Sequence, residues 1–270
     1  MKKVALITGA SAGIGKETAK LLLKDGFTVY AAARRLEKMG DIKQLGGNIL
    51  KMDVSDDTSM VQGVNSIISS EGHVDVLVNN AGYGSYGSLE DTPMSEARYQ
   101  FEVNVFGLAR LCQLIIPYMR KQGSGKILNV SSIAGKIGLP HGAWYHASKF
   151  AVEGLSDCLR MELKQFGIDV ILIEPGAIKT EWNAIARGNL LKVSGQTAYK
   201  DLVVRQAQWF EVSNSGGSDP IVIAKLINKA IHARNPEARY AAGKSAALGL
   251  FLKKILSDKM GDKVMLSQIK

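Results

Sequence analysis

The 270-residue chain is predicted to be an α/β protein, a doubly wound parallel sheet of about seven strands with helices on both faces. Two observations lead there. Short β-branched or apolar runs alternate with longer stretches whose apolar positions recur at helical spacing, and the first run passes straight into a glycine-rich turn. Such alternation builds right-handed βαβ units, and a sheet made from them is covered on both faces. Sheets of this kind commonly reach this length as one domain, so residues 1–270 are read as a single unit.

Val4–Thr8 is the first strand. It leads through Thr8-Gly9-Ala10-Ser11-Ala12-Gly13-Ile14-Gly15 into a helix that includes Glu17–Lys24. Glycines at this point allow a tight turn and let backbone N–H groups and the helix N-terminus approach a pyrophosphate. The spacing is G-x-x-x-G-x-G rather than the commoner G-x-G-x-x-G. Thr28–Ala33 is the second strand and ends at Arg34-Arg35. A site selective for NAD(H) usually carries an acid roughly 20 residues past the glycines, bonded to the ribose 2′-hydroxyl. Here two guanidiniums stand there with no carboxylate. Arginine pairs bidentately with phosphate, which suits the 2′-phosphate of NADP(H) and makes NAD(H) the weaker fit.

Asn48–Met52 and Val74–Asn79 are the third and fourth strands, separated by a helix over Thr58–Ser70. After the fourth come Asn80-Ala81-Gly82, where small residues let the chain pass close to a ligand. Ser95–Lys121 has the period of one long helix, with Asn104 a polar residue in an otherwise apolar stretch. Lys126–Val130 and Asp169–Glu174 are the fifth and sixth strands, flanking a helix over Tyr145–Phe166, and Pro175-Gly176-Ala177-Ile178-Lys179-Thr180 follow. The rhythm then breaks over about 181–218, which reads as a mobile substrate-loop insertion at the sheet's carboxyl edge. Arg239–Ala242 is a weak seventh strand, and a basic helical segment covers about 244–260.

Chemistry concentrates between Ser132 and Lys149. Residues four apart on a helix share a face, so the Tyr145 phenol and the Lys149 ammonium lie side by side. A phenol ordinarily titrates near 10, and a neighbouring cation favours phenolate and lowers that value. Ser132, just past the fifth strand, is placed to hydrogen-bond the same reacting oxygen. Y-x-x-x-K alone is a common chance pair; the surrounding motifs give it weight.

Composition narrows the classes. Hydrophobic residues make up 46% and charged residues 22%, as in a folded globular chain. The apolar run after Met1-Lys2-Lys3 stops after four residues, too short for a signal peptide, and no stretch has the length of a membrane span. Cys112 and Cys158 fall on helices without metal spacing and are expected to be buried free thiols in a reducing cytoplasm; no metal site is expected. Net charge is +9, and residues 234–270 hold eight Lys/Arg against three Asp/Glu. These cations are dispersed and not interleaved with aromatics, which speaks against nucleic acid. The run Ala246–Leu256 is amphipathic and basic. It suits weak membrane-surface contact, packing on its own domain or a homo-oligomer contact, with packing the favoured expectation.

T-G-x-x-x-G-x-G, N-N-A-G, Asn104, Ser132, Tyr145-x-x-x-Lys149 and P-G in this order resemble the short-chain dehydrogenase/reductase family over about Lys3 to Thr180. The resemblance implies one Rossmann-like domain, a nicotinamide cofactor, and hydride transfer between it and a carbonyl or alcohol. It assigns Tyr145 as general acid, Lys149 as the group that lowers its pKa and holds the nicotinamide ribose, Ser132 as the carbonyl's hydrogen-bond partner and Asn104 as holder of a relay water. Its cofactor set comprises Gly9, Ser11, Gly13, Ile14, Gly15, Arg34, Arg35, Asp53, Val54, Asn80, Ala81, Gly82, Tyr145, Lys149, Pro175, Gly176, Ile178 and Thr180. Asp53 matches an acid beside the adenine, and Ile178 and Thr180 match positions at the nicotinamide amide. Within the family, Val29–Arg35 and Asn79–Gly84 look like the branch near 17β-hydroxysteroid and retinol dehydrogenases and acyl-dihydroxyacetone-phosphate reductases, which implies a small apolar carbonyl or alcohol substrate. Tyr83, Tyr86, Ile137, Leu139, Trp144, Trp182 and Trp209-Phe210 are candidates for its wall. The alternative is a catalytically idle NADP-binding regulator on the same fold, which has no need of the proton donor.

Overall fold

A computed structural model describes residues 2–269. Strands β1 (Val4–Thr8), β2 (Thr28–Ala33), β3 (Asn48–Lys51), β4 (Val76–Asn79), β5 (Gly125–Val130), β6 (Ile168–Pro175) and β7 (Arg239–Ala242) form one sheet in the order β3-β2-β1-β4-β5-β6-β7. Every pairing is parallel, including β7 against β6. The helices are α1 (Gly13–Lys24), α2 (Gly40–Gln44), α3 (Asp57–Glu71), α4 (Met94–Phe101), α5 (Gly107–Gln122), α6 (Ala143–Leu163), α7 (Glu181–Ser194), α8 (Lys200–Ser215), α9 (Pro220–His232), α10 (Ala246–Ile255) and α11 (Asp258–Ser267).

Successive side chains of a strand point to opposite faces, and β1 shows the consequence. Val4 and Leu6 join a core with Val64 of α3, Leu111 of α5 and Val152 of α6. Ala5 and Ile7 join the opposite core with Leu22 of α1 and Ile227 of α9. Burial on both sides is why the strands read as continuous apolar runs rather than alternating ones.

The order reverses between β1 and β4, and open sheets of this kind bind ligands at that reversal, beyond the carboxyl ends of the strands. The Thr8 hydroxyl accepts the backbone N–H groups of Asn80 and Ala81, each at 3.0 Å, and the Asn80 side-chain amide donates to the Thr8 carbonyl at 2.9 Å. The glycine turn after β1 is thereby tied to the Asn-Ala-Gly turn after β4, on the two sides of the crevice.

Three expectations are corrected. The long helix over Ser95–Lys121 is interrupted, because Glu102–Phe106 forms a π-turn between α4 and α5. Segment 181–218 consists mainly of two packed helices rather than a loop; Ala186 and Leu190 of α7 and Val203 and Phe210 of α8 bury against Tyr86 and Tyr145. Cys112 is buried as expected, whereas Cys158 is exposed on α6. Among the described residues no helix is long and apolar enough to cross a membrane.

Candidate active site

Helix α6 packs on β6 and on the short turn after β5, and presents Tyr145 and Lys149 on one face. The Lys149 ammonium donates to the carbonyl of Val130, the last residue of β5, at 2.9 Å, and lies 6.0 Å from the centroid of the Tyr145 ring. Between them Ser148 donates to the Tyr145 carbonyl at 2.7 Å and accepts from the Asn104 amide at 3.1 Å. The π-turn points Asn104 inward, where its Oδ1 accepts the Tyr83 N–H at 3.1 Å. Such turns often occur at functional sites because they re-aim a side chain. Ser132, in extended backbone after β5, accepts the Ala134 N–H at 3.1 Å, so its hydroxyl sits at the start of a short 3₁₀ turn. Asn104 and Lys149 approach one another across Gly82, where a Cβ would lie 3.1 Å from Asn104 Oδ1 and 3.8 Å from Lys149 Nζ.

The electrostatics differ from the expectation of a phenol lowered by its cationic neighbour. Tyr145 is only 6% exposed, and burial pushes its phenol up to about 12, with the Ser132 hydroxyl pulling in the other direction. Lys149 is likewise buried and is held down to about 8, with Glu153 opposing that shift. Desolvation outweighs charge pairing because Lys149 directs its ammonium at a backbone carbonyl rather than at the phenol oxygen.

One cavity of about 1140 Å³ takes in this group, the glycine turn and the ends of β2, β4 and β6. That exceeds the several hundred Å³ typical of a single drug-sized ligand and leaves room for a second molecule beside a dinucleotide. Gly9, Ser11, Gly13, Ile14, Arg34, Arg35, Asp53, Val54, Asn80, Ala81 and Gly82 line one part of it, with Pro175, Gly176, Ile178 and Thr180 closing from β6. Gly15 and Asn104 stand behind the wall and support it. Gly13 has φ +54°, and a Cβ there would come 2.9 Å from the Thr180 methyl. Glycine at 13 therefore lets the turn lie directly against Thr180 of the β6 loop. Arg35 donates to Ser11 of the turn at 3.2 Å and to Glu181 at 2.9 Å, and Lys38 reaches the same carboxylate at 2.8 Å. Arg34 reaches the Tyr99 hydroxyl at 3.1 Å and Asp53 at 3.9 Å. Cations thus stand on the open side of β2, and the residues present fit a nicotinamide dinucleotide.

Tyr86 is the centre of the substrate-side wall, its ring 5.7 Å from Tyr145, 5.8 Å from Trp182 and 5.0 Å from Phe210. Trp144 is not part of this wall; it packs on Phe101, 6.3 Å away. His146 is buried, held by the carbonyls of Ala134 and Ile137 and thereby fixing the loop that carries Ser132.

Sequence reasoning missed two groups. Leu252 of α10, Leu256 just past its end, and Val264 and Met265 of α11 line the far end of the cavity. Behind Lys149 lies a buried carboxyl pair: Glu153, one helical turn on, and Glu174 at the end of β6. Glu153 meets Lys136 at 2.8 Å and Arg239 at 3.1 Å, and Glu174 lies 3.4 Å from Arg239. The four-residue spacing from Lys149 to Glu153 was the one available signal. Burial, and then the Glu153 charge, raise Glu174 to about 7 against the opposing pull of Lys136 and Arg239. A raised carboxyl binds a proton in the folded chain that the unfolded chain releases, so its stabilisation is complete below about pH 4.5 and is lost as pH rises through about 7. Glu174→Gln is neutral throughout. Its melting temperature is expected to exceed that of the parent by a few degrees at about pH 8, from roughly 1–3 kcal/mol, and to match it near pH 5. Equal shifts at both pH values in thermal melts would remove the carboxyl pair as the cause.

Comparison with known proteins agrees with this geometry. Residues 3–189 match the short chain dehydrogenase family. A 3-ketodihydrosphingosine reductase from Bacteroides thetaiotaomicron is 39% identical over 243 residues, covering 89% of this chain and 88% of that protein. An NADPH-dependent 3-dehydrocapnine reductase from Ornithobacterium rhinotracheale is 31% identical, covering 99% and 98%. The crystal structure of a short-chain dehydrogenase from Streptomyces avermitilis superposes with a TM-score of 0.83 at 35% identity, covering 93% and 91%. The chain belongs to the short-chain dehydrogenase/reductase family. It is an oxidoreductase of a family that binds a nicotinamide cofactor.

Proposed function

We propose that the protein is an NADPH-dependent reductase of a ketone carried on an apolar body. The observation that carries this reading is the convergence of Ser132, Tyr145 and Lys149 on the wall of the cavity that also holds the glycine turn, with Asn104 behind them. A bound nicotinamide supplies the hydride. Tyr145 donates its phenolic proton to the carbonyl oxygen, which becomes the alcohol hydroxyl. Ser132 hydrogen-bonds that oxygen and orients it. Lys149 keeps a positive charge beside the phenol and stabilises the phenolate left behind, and Asn104 holds the backbone of Tyr83 and the side chain of Ser148 in register with it. The names of the two relatives describe reduction of a 3-keto or 3-dehydro group, which supports ketone reduction as the direction. The aromatic wall around Tyr86 supports an apolar substrate on the same domain.

NADPH is assigned from Arg34 and Arg35, which face the end of β2 where NAD-selective proteins carry an acid. Arg34→Asp is expected to weaken NADPH by roughly 10- to 150-fold, the value of one charge-assisted phosphate contact, and to leave NADH nearly unchanged. Equal loss of both cofactors in a binding titration would separate Arg34 from the 2′-phosphate. The reading as a whole is tested by NADPH consumption against ketones and aldehydes on short-chain, long-chain and polycyclic bodies. Turnover of an apolar ketone is the expected result. NADPH binding with no turnover of any carbonyl would favour a catalytically idle regulator.

A further inference from the structure

We propose that the outer face of the α10–α11 helix pair docks on the surface of an anionic lipid bilayer, beside the edge of the cleft that the same helices line. Helical residues advance by about 100° each, so Leu248, Phe251 and Ile255 fall within an arc about 60° wide. Their exposures are 61%, 58% and 58%. Leu252 and Leu256 occupy the adjoining arc and line the cleft, as does the inner side of Leu248. The apolar stripe of α10 therefore runs from the cleft wall out to solvent without a polar residue between. On α11, Val264 and Met265 line the cleft together with Asp262, while Met260 and Leu266 are exposed on either side of Lys263.

Charge decides what covers this face. Residues 244–269 contain five lysines and two aspartates, and the chain as a whole carries +9. Lys253 pairs with Asp258 at 2.8 Å. Lys254 flanks the exposed row on the side away from the cleft, and Lys259 and Lys263 sit on the exposed surface of α11. An apolar row bordered by lysines, whose stems can lie along hydrocarbon while their heads meet lipid phosphates, is the pattern of a helix that lies in a bilayer interface. Each lysine at an anionic surface strengthens adsorption about five-fold. A stable protein interface needs roughly 20–30 residues a side, far more than this short row supplies, so a second copy of the chain fits less well. The inference concerns the outer face alone and does not depend on which carbonyl the cleft reduces.

The test uses the full chain with vesicles of phosphatidylcholine alone and of phosphatidylcholine mixed with phosphatidylglycerol, read by flotation. The mixed vesicles are expected to retain the protein, high salt to release it, and phosphatidylcholine alone to hold it about ten-fold or more less tightly. Phe251→Glu with Ile255→Glu, both at exposed positions outside the cleft, is expected to lower retention by about ten-fold or more with melting temperature and NADPH affinity unchanged. Three results would overturn the proposal: no retention of the parent chain on mixed vesicles, equal retention of the double variant, or a parent dimer that ignores vesicles and that the double variant splits into monomers.

Discussion

Tyr145→Phe is expected to lower kcat for ketone reduction by about 10²–10⁴-fold while NADPH affinity changes little, the range for removing a positioned general acid. The substitution deletes one oxygen and keeps the ring. Packing against Tyr86 at 5.7 Å and Trp182 at 5.0 Å is retained, and Lys149 keeps its bond to the Val130 carbonyl. Ser132 keeps its bonds to the Ala134 N–H and the Pro175 carbonyl. Loss of one hydroxyl, whose hydrogen bonding is worth about 1 kcal/mol, should move the melting temperature by only a few degrees. A fall in kcat with an unchanged dissociation constant separates proton donation from cofactor holding. Retention of more than a tenth of the parent rate would move the proton source elsewhere, and a parallel loss of NADPH affinity would make the hydroxyl a cofactor contact instead.

Such a prediction is available from the chain alone because local spacing carries most of it. Tyr145 and Lys149 share a face by helical geometry, and Ser132 follows a strand that the apolar run Lys126–Val130 announces. The sheet was legible for the same reason, since strands buried on both faces leave uninterrupted apolar runs. Even the weak Arg239–Ala242 run takes its place beside β6. What escaped depends on contacts between distant segments. Apolar periodicity looks alike in an α-helix and a π-turn, so the break at Glu102–Phe106 was hidden, although Asn104 stood out by its polarity. The amphipathic run Ala246–Leu256 shows an apolar stripe without saying how it divides between the cleft and solvent. The lowered phenol was expected from a cation four residues away; the structure turns that cation toward the Val130 carbonyl and buries both groups, and neither effect is written in the spacing. The Glu153–Glu174 pair joins a helix to a strand end through a contact that no local pattern encodes.

Gly15→Ala is expected to cost about 1–3 kcal/mol of stability and to weaken NADPH about ten-fold or more, whereas Gly154→Ala should stabilise by up to about 1 kcal/mol. Both glycines lie in helices, α1 and α6, and neither has the left-handed backbone that only glycine tolerates easily. Intrinsic propensity therefore favours alanine at each, and any difference between them has to come from neighbours. A Cβ on Gly154 meets nothing within 4 Å. On Gly15 it would stand 2.5 Å from the Asn80 amide nitrogen and 2.6 Å from the Gly9 carbonyl oxygen. That amide donates to the Thr8 carbonyl at 2.9 Å, so it cannot withdraw without leaving a buried acceptor unpaired, and Gly9 is backbone of the turn itself. The methyl group must then part α1 from the turn after β1 and loosen the tie to the turn after β4, which displaces the backbone N–H groups that a pyrophosphate would meet. Thermal melts and NADPH titrations of the two variants side by side check the argument. Two alanines that behave alike would mean that propensity alone governs Gly15, and that the close approach of helix and turns is not what shapes the cofactor cradle.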